Sequence, residues 1–254
     1  MSRLTSVSTV VTGAGAGIGA AIARRYASEG AHVTVADIDL NAALAVRDEI
    51  VAAGGSAIAV EMDVTDREAV RTGLVEARDR FGSLDVMVNN AGISMSTGVF
   101  DTTAEHWMRH QRVNGLGVLI GMQEAAKIMI DLGVRGKIIN VTSISGKRNN
   151  ADWVAYAASK ASTSSLIHGG ARALAPHGIT VTGIAPGIVE TPLWAGIHEN
   201  ELDRAERFAQ YAAQIPLGYV SSADDNAGAA VFLATADSDY ITGQIVTVDG
   251  GITA

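Results

Sequence analysis

Short apolar, β-branched runs alternate along this chain with longer stretches whose apolar positions recur at helical spacing. Residues 8–12, 32–36, 57–61, 84–88, 137–141, 179–184 and 245–248 read as strands. Residues 18–28, 41–53, 67–81, 104–110, 116–132 and 155–175 read as helices. Glycines close several of them, among them Gly30, Gly54-Gly55 and Gly82, and Pro176 with Gly178 ends the longest. Strands that are almost continuously apolar need cover on both faces, so the pattern predicts an α/β, doubly wound Rossmann-type fold. It comprises a seven-stranded parallel sheet with helices on both faces, in a single domain over residues 1–254. Right-handed crossovers would bring every strand's C-terminal end to one edge, where ligands bind in such sheets. Residues 190–218 break the rhythm with helical pieces, charges and scattered aromatics. Their length, and their start just after a strand end, suit a substrate lid.

Composition narrows the picture. The 254 residues are 48% hydrophobic and 18% charged, enough to bury a core. The formal net charge of −8 argues against a nucleic-acid partner, and the basic pairs Arg24-Arg25 and Lys147-Arg148 read as solvated surface. With no cysteine, a disulfide framework, a thiolate nucleophile and a Cys-ligated zinc are excluded. Of the histidines, only His106 and His110 have metal spacing on a helix, and no third ligand is evident, so no metal is expected. No apolar run is long enough for a membrane span, and the N-terminus shows no signal-peptide pattern. A cytoplasmic enzyme without membrane contact is expected.

The first strand runs into TGAGAGIG, residues 12–19, and then a helix. The strict G-x-G-x-x-G spacing is absent, but the setting is that of a phosphate cradle at a helix N-terminus. Gly13 permits the turn, Gly17 a close backbone approach to a pyrophosphate, and Gly19 helix-on-sheet packing, with Ile18 between them. Asp37 ends the second strand, placed to accept from both adenosine ribose hydroxyls and to repel a 2′-phosphate. The loop carries no Arg or Lys, and Ile38 follows Asp37, so NAD rather than NADP is the expected cofactor. A helix N-cap is the plainer role for Asp37, although Asp39 or Asn41 would fill it as well. After the third strand, Asp63 and Val64 could contact adenine, or Asp63 could cap a loop.

Tyr156 and Lys160 stand four apart near the start of the longest helix, on one face. An ammonium about 4 Å from a phenol, at an effective dielectric near 20, stabilises the phenolate by roughly 4 kcal/mol. That shift would bring the phenol toward neutral pH, where general acid–base catalysis works best. Ser143, at the end of the fifth strand, would donate to a substrate carbonyl, with Thr142 and Ser145 as alternatives. Asn114 sits mid-helix, an unfavourable place, where it would hold a relay water. In Asn89-Asn90-Ala91-Gly92 the small residues would let a cofactor ring pass close.

Together these residues resemble the short-chain dehydrogenase/reductase family, over nearly the whole chain. The matching motifs are TGAGAGIG, Asp37, Asp63-Val64, NNAG at 89–92, Asn114, Ser143, Tyr156, Lys160 and APGIVETP at 185–192. The resemblance implies an NAD-dependent alcohol dehydrogenase/carbonyl reductase in which Tyr156 is the acid/base and Ser143 polarises the substrate. Lys160 would tune the tyrosine and bind the nicotinamide ribose, and Asn114 would anchor the relay. Asn90, Ala91, Gly92, Pro186, Gly187, Val189 and Thr191 would complete the cofactor site. The C-terminal ITGQIVTVDGG implies a homotetramer. Other stretches are similar to the acetoin reductase/2,3-butanediol dehydrogenase and sorbitol dehydrogenase branch. The segment between Ser143 and Tyr156 differs from that branch. Ser145, Trp153 and Trp194, with Phe208 and Tyr211, would line a pocket for a vicinal diol, a polyol or an aryl or amino alcohol. Two other readings reuse parts of this set. A non-catalytic dinucleotide sensor or scaffold needs only the glycine loop and Asp37, and a nucleotide-sugar epimerase needs a further substrate domain.

Overall fold

The computed structural model describes residues 2–148, 151–194 and 201–254, with residues 194 and 201–203 as backbone only. Asn149, Asn150 and the Trp194 side chain therefore lie outside the described residues. The strands are β1 Ser8–Thr12, β2 His32–Asp37, β3 Ser56–Glu61, β4 Val86–Asn89, β5 Lys137–Val141, β6 Thr180–Pro186 and β7 Ile245–Val248. The helices are α1 Gly17–Ser28, α2 Leu40–Ala52, α3 Arg67–Phe81, α4 Ala104–His110, α5 Gly117–Leu132, α6 Val154–Leu174, α7 Glu201–Ala212 and α8 Ala223–Ala234. The strands form one seven-stranded sheet in the order β3-β2-β1-β4-β5-β6-β7. Every pairing is parallel, which is the expected doubly wound architecture.

Both sheet faces are buried, which is why the strands lack polar alternation. One core packs α1, α2 and α8 on the sheet through Ile22, Tyr26, Val46 and Val231. The other packs α3, α5 and α6 through Leu74, Met87, Met129 and Ile167. Two buried asparagines are paired across strands: Asn89 Nδ2 donates to Asn140 Oδ1 at 2.9 Å, and Asn140 Nδ2 to the Thr182 carbonyl at 3.1 Å. The strand order reverses between β1 and β4, so a crevice opens beyond Thr12 and Asn89. Among the described residues, no helix is long and apolar enough to cross a membrane.

Two boundaries differ instructively from expectation. β4 begins at Val86 rather than at 84, because the Asp85 carboxylate takes the Ser8 N–H at 2.7 Å and ends the turn there. The expected gap between helices 104–110 and 116–132 is instead a π-helical turn, Gln111–Leu116, which joins α4 to α5 without a break. Such single wide turns often mark functional positions. Gly117 allows it to pack closely, since a Cβ there would sit 2.8 Å from Val64 Cγ2.

Candidate active site

A cleft of about 1110 Å³ runs along the C-terminal edge of the sheet. It lies just above the range of ordinary ligand sites, roughly 300–1,000 Å³. The glycine loop forms one wall. Gly13 has φ +62°, and a Cβ there would lie 2.8 Å from Ala91 Cα, so the loop and the β4 end touch backbone to backbone. A Cβ on Gly19 would lie 2.3 Å from the Gly13 carbonyl oxygen. Thr12 Oγ1 accepts from the Asn90 and Ala91 N–H groups, both at 3.1 Å. Asn90 Nδ2 donates back to the Thr12 and Gly13 carbonyls at 2.8 and 3.1 Å. The N-terminus of α1 has no side-chain cap and no acidic residue in its first turn, so its free N–H groups face the cleft edge without competition.

Asp37 borders the cleft at the end of β2. Its Oδ2 accepts from the Gly15 N–H at 2.9 Å and its Oδ1 from the Asp39 N–H at 3.0 Å. Asp39, not Asp37, caps α2 by accepting from Asn41 and Ala42. Gly15 is a site residue that the glycine spacing alone does not single out. A Cβ there would meet Asp37 Oδ2 at 2.9 Å and Ala42 Cβ at 2.7 Å. The signal was present, as a glycine between two others in a strand-to-helix turn. Asp63 and Val64 also line this end, and the Asp63 carboxylate accepts from Thr65 N–H at 2.8 Å, so lining and turn-capping coexist.

Ser143, Tyr156 and Lys160 converge on the middle of the cleft. The Ser143 hydroxyl accepts from the Ser145 N–H at 3.1 Å, and Ser143 shares the cleft lining with Tyr156. Thr142 and Ser145 both border the cleft, but the Thr142 hydroxyl is engaged, its Oγ1 donating to the Lys160 carbonyl at 2.9 Å. The half-buried Tyr156 ring meets Trp153 edge-on at 5.7 Å and His110 at 6.3 Å. Lys160 is buried, with Nζ donating to the Val141 carbonyl at 2.9 Å and lying 5.9 Å from the Tyr156 ring centroid. Burial dominates both titrations. It raises the Tyr156 pKa, with the Ser143 hydrogen bond pulling the other way, and it lowers that of Lys160 to about 8. The expected direct ammonium–phenol pair is thus looser than drawn from the sequence, with the cation over the ring.

Asn114 and Gly19 do not line the cleft; both act from behind it. Fully buried, Asn114 accepts from the Ile93 N–H and donates to the Ile93 carbonyl, both at 2.9 Å, and donates to Ser159 Oγ at 2.9 Å. The Asn114 carbonyl accepts from Thr163 Oγ1 at 2.8 Å. Gly92 fills the gap between Asn114 and Lys160, because a Cβ there would lie 3.1 Å from Asn114 Oδ1 and 3.5 Å from Lys160 Nζ.

Pro186, at the end of β6, and Gly187, Val189 and Thr191 beyond it lie along the cleft. A Cβ on Gly17 would touch the Thr191 side chain at 3.5 Å, so this segment meets the glycine loop. Trp153 and Tyr211 also line the cleft, joined by residues the sequence did not single out: Ile93, Ser94, Gln214, Ile252 and Thr253. Arg148, read as solvated surface, also borders the cleft and donates to the Ile252 carbonyl at 3.0 Å. His106 Nδ1 accepts from the Thr103 N–H in a helix cap. Among the described residues, no group of three or more metal-ligating side chains gathers.

Residues 13–253 match the family model described as enoyl-(acyl carrier protein) reductase. With the glycine-loop cleft and parallel sheet, this places the chain in the short-chain dehydrogenase/reductase family, to which it belongs. Within that family it is an oxidoreductase of the alcohol-dehydrogenase kind. It is 41% identical to sorbitol dehydrogenase of Cereibacter sphaeroides, over 98% of each chain. It is 38% identical to L-2,3-butanediol dehydrogenase of Corynebacterium glutamicum, over 96% of this chain and 97% of that one. The solved structure of 7α-hydroxysteroid dehydrogenase, complexed with NADH and 7-oxo glycochenodeoxycholic acid, superposes with a TM-score of 0.90. That chain is 34% identical, and the match covers 98% of this chain and 95% of that one.

Proposed function

We propose that the enzyme interconverts a secondary alcohol and its ketone with NAD, using Tyr156 as general acid/base. The observation that carries this reading is one cleft with the glycine loop and Asp37 at one end and Ser143, Tyr156 and Lys160 on its wall. The residues present fit a dinucleotide. Side chains at Gly13 and Gly15 would collide with neighbours, so the loop backbone stays bare for a pyrophosphate, and Asp37 offers a carboxylate to ribose hydroxyls. Bound there, the cofactor supplies the hydride acceptor or donor. The protein's part is to position and to move a proton. Ser143 orients the carbinol oxygen, Tyr156 takes or returns its proton, and Lys160 holds the ribose and favours the phenolate. Asn114 keeps the Ile93 segment in place behind them.

The relatives named for sorbitol and butanediol support a vicinal diol or polyol, and the polar Ser145 and Gln214 beside Trp153 and Tyr211 suit one. Residues 190–218, of which 195–200 lie outside the described residues, are read as the lid, with Thr191, Leu193, Tyr211 and Gln214 bordering the cleft. The exposed apolar Phe100, Trp107, Met108 and Leu116 support self-association, for which the family resemblance implies a tetramer, and a cytoplasmic enzyme remains the reading. An NAD-coupled panel of sorbitol, galactitol, both enantiomers of 2,3-butanediol and 1-phenylethanol tests the activity. Turnover of none of them would defeat it.

Cofactor choice has its own test. The cationic side chains lining the cleft, among the described residues, are Arg148 and Lys160, neither at the Asp37 end. A carboxylate facing a 2′-phosphate disfavours NADP, and a charge-assisted hydrogen bond to ribose is worth about 1.5–3 kcal/mol. The ratio of kcat/KM for NAD over NADP should therefore exceed about 100. Asp37→Ser should lower it by roughly 10- to 100-fold. Equal efficiencies in the wild type would refute the assignment.

A further inference from the structure

His110 has no part in the scheme above, yet it is fully buried beside it. Its Nδ1 lies 2.7 Å from the His106 carbonyl, which can only accept, so the ring proton sits on Nδ1. Nε2 is then a bare lone pair, and it accepts the Met95 N–H at 3.2 Å. Both partners are backbone groups, so they define one neutral tautomer. The ring also stands against Tyr156 at 6.3 Å between centroids and 72° between planes. Four residues on, Asn114 clamps Ile93 through its N–H and its carbonyl. Ile93 and Ser94, which border the cleft, are thus held at both ends by side chains of one continuous helix.

We infer that His110 is a positioning residue whose neutral imidazole fixes the 93–95 wall of the substrate pocket and seats the Tyr156 ring, and whose protonation releases that wall. The inference rests on the assignment of Tyr156 as acid/base. A protonated ring would set an N–H donor against the Met95 N–H donor. The groups facing it are consistent with a neutral ring. His106 and Arg109 on its own helix disfavour a further charge, Tyr156 comes from α6, and Ile93, Ser94 and Met95 add no titratable group. Burial first, then Arg109 and His106, hold its pKa below the ordinary histidine value, with the His106 carbonyl opposing. The clamp is therefore closed at neutral pH and opens only in acid.

Two variants separate the roles. His110→Gln keeps an acceptor near the Nε2 position; His110→Phe keeps an aromatic edge against Tyr156 but no acceptor. Hydrogen–deuterium exchange at the Met95 amide should stay slow in the wild type and in His110→Gln and become about tenfold faster in His110→Phe, as for a buried N–H left unpaired. With 2,3-butanediol as the probe, KM should rise about tenfold in His110→Phe, with NADH affinity unchanged, and be largely restored in His110→Gln. On acidification, the wild type should lose kcat/KM and Met95 protection together, whereas His110→Gln should lack that acid limb. A Met95 amide equally protected in His110→Phe, or a KM that does not move with it, overturns the inference. Absence of diol turnover in every form, wild type included, would strike the proposed oxidoreductase chemistry instead, and exchange at Met95 would still decide the clamp.

Discussion

Replacing Tyr156 with phenylalanine should leave a folded protein that still binds NADH and turns over its alcohol roughly 10²–10⁴-fold more slowly, the usual contribution of a positioned acid/base. The ring stays, so the edge contacts to Trp153 and His110 survive and the wall of the cleft keeps its shape. What goes is the hydroxyl, on a ring whose centroid stands 5.9 Å from the Lys160 cation. Burial holds that phenol above its ordinary pKa. Oxidation by the wild type should therefore quicken as pH rises into the alkaline range, and the residual rate of the variant should not follow it. Steady-state rates beside NADH fluorescence titration would check both parts. Undiminished turnover would mean that the proton leaves by another group.

Lys160→Met should abolish most turnover and yet make the protein more stable at neutral pH. Burial depresses the lysine from 10.5 to about 8, so below that pH the native state carries a charge that it holds less well than the unfolded chain does. A tenfold change in proton affinity is worth about 1.4 kcal/mol, so this depression costs the native state roughly 3 kcal/mol. Between about pH 8 and 10.5 the unfolded state binds more protons, so the cost declines as pH rises and is gone above that window. The variant leaves the Val141 carbonyl without its Nζ donor, which offsets about 1–2 kcal/mol. A net gain of about 1–2 kcal/mol remains, a few degrees in Tm. Thermal melts from pH 7 to 11 would read it directly. A variant less stable than the wild type at pH 7, with a gap that does not change with pH, would contradict this expectation.

Much of this was legible along the chain because strand and helix periods differ and glycines punctuate them. The strands 8–12, 137–141 and 245–248 fall where the apolar runs do, since a short apolar run is itself the local signal. The cleft lining near Gly13, Asp37, Ser143 and Tyr156 was visible because strand ends and turn glycines are local features. Contacts made at long range were not. The Gly15–Asp37 bond spans two strands. The Ile252 and Thr253 lining depends on where the C-terminal turn lands, and the π-helical turn at Gln111–Leu116 looks in sequence like a glycine-rich pause. His110 read as a doubtful metal ligand because its partners are backbone atoms, which leave no mark in composition.

That wide turn makes the catalytic register of this helix a matter of counting. Its extra residue advances everything downstream by one step, about 100° of rotation in ordinary winding. His110 lies before the step and Asn114 within it, yet both reach the same short strip of backbone. A uniformly wound helix of the same sequence would turn the buried stripe of α5, with Ile120, Ala125 and Met129, away from the sheet or aim His110 elsewhere. The anomaly therefore reconciles two demands, the apolar face of α5 on the sheet and the reach of His110 to the pocket wall, and a homologue that lost the surplus residue would have to hold that wall by other means.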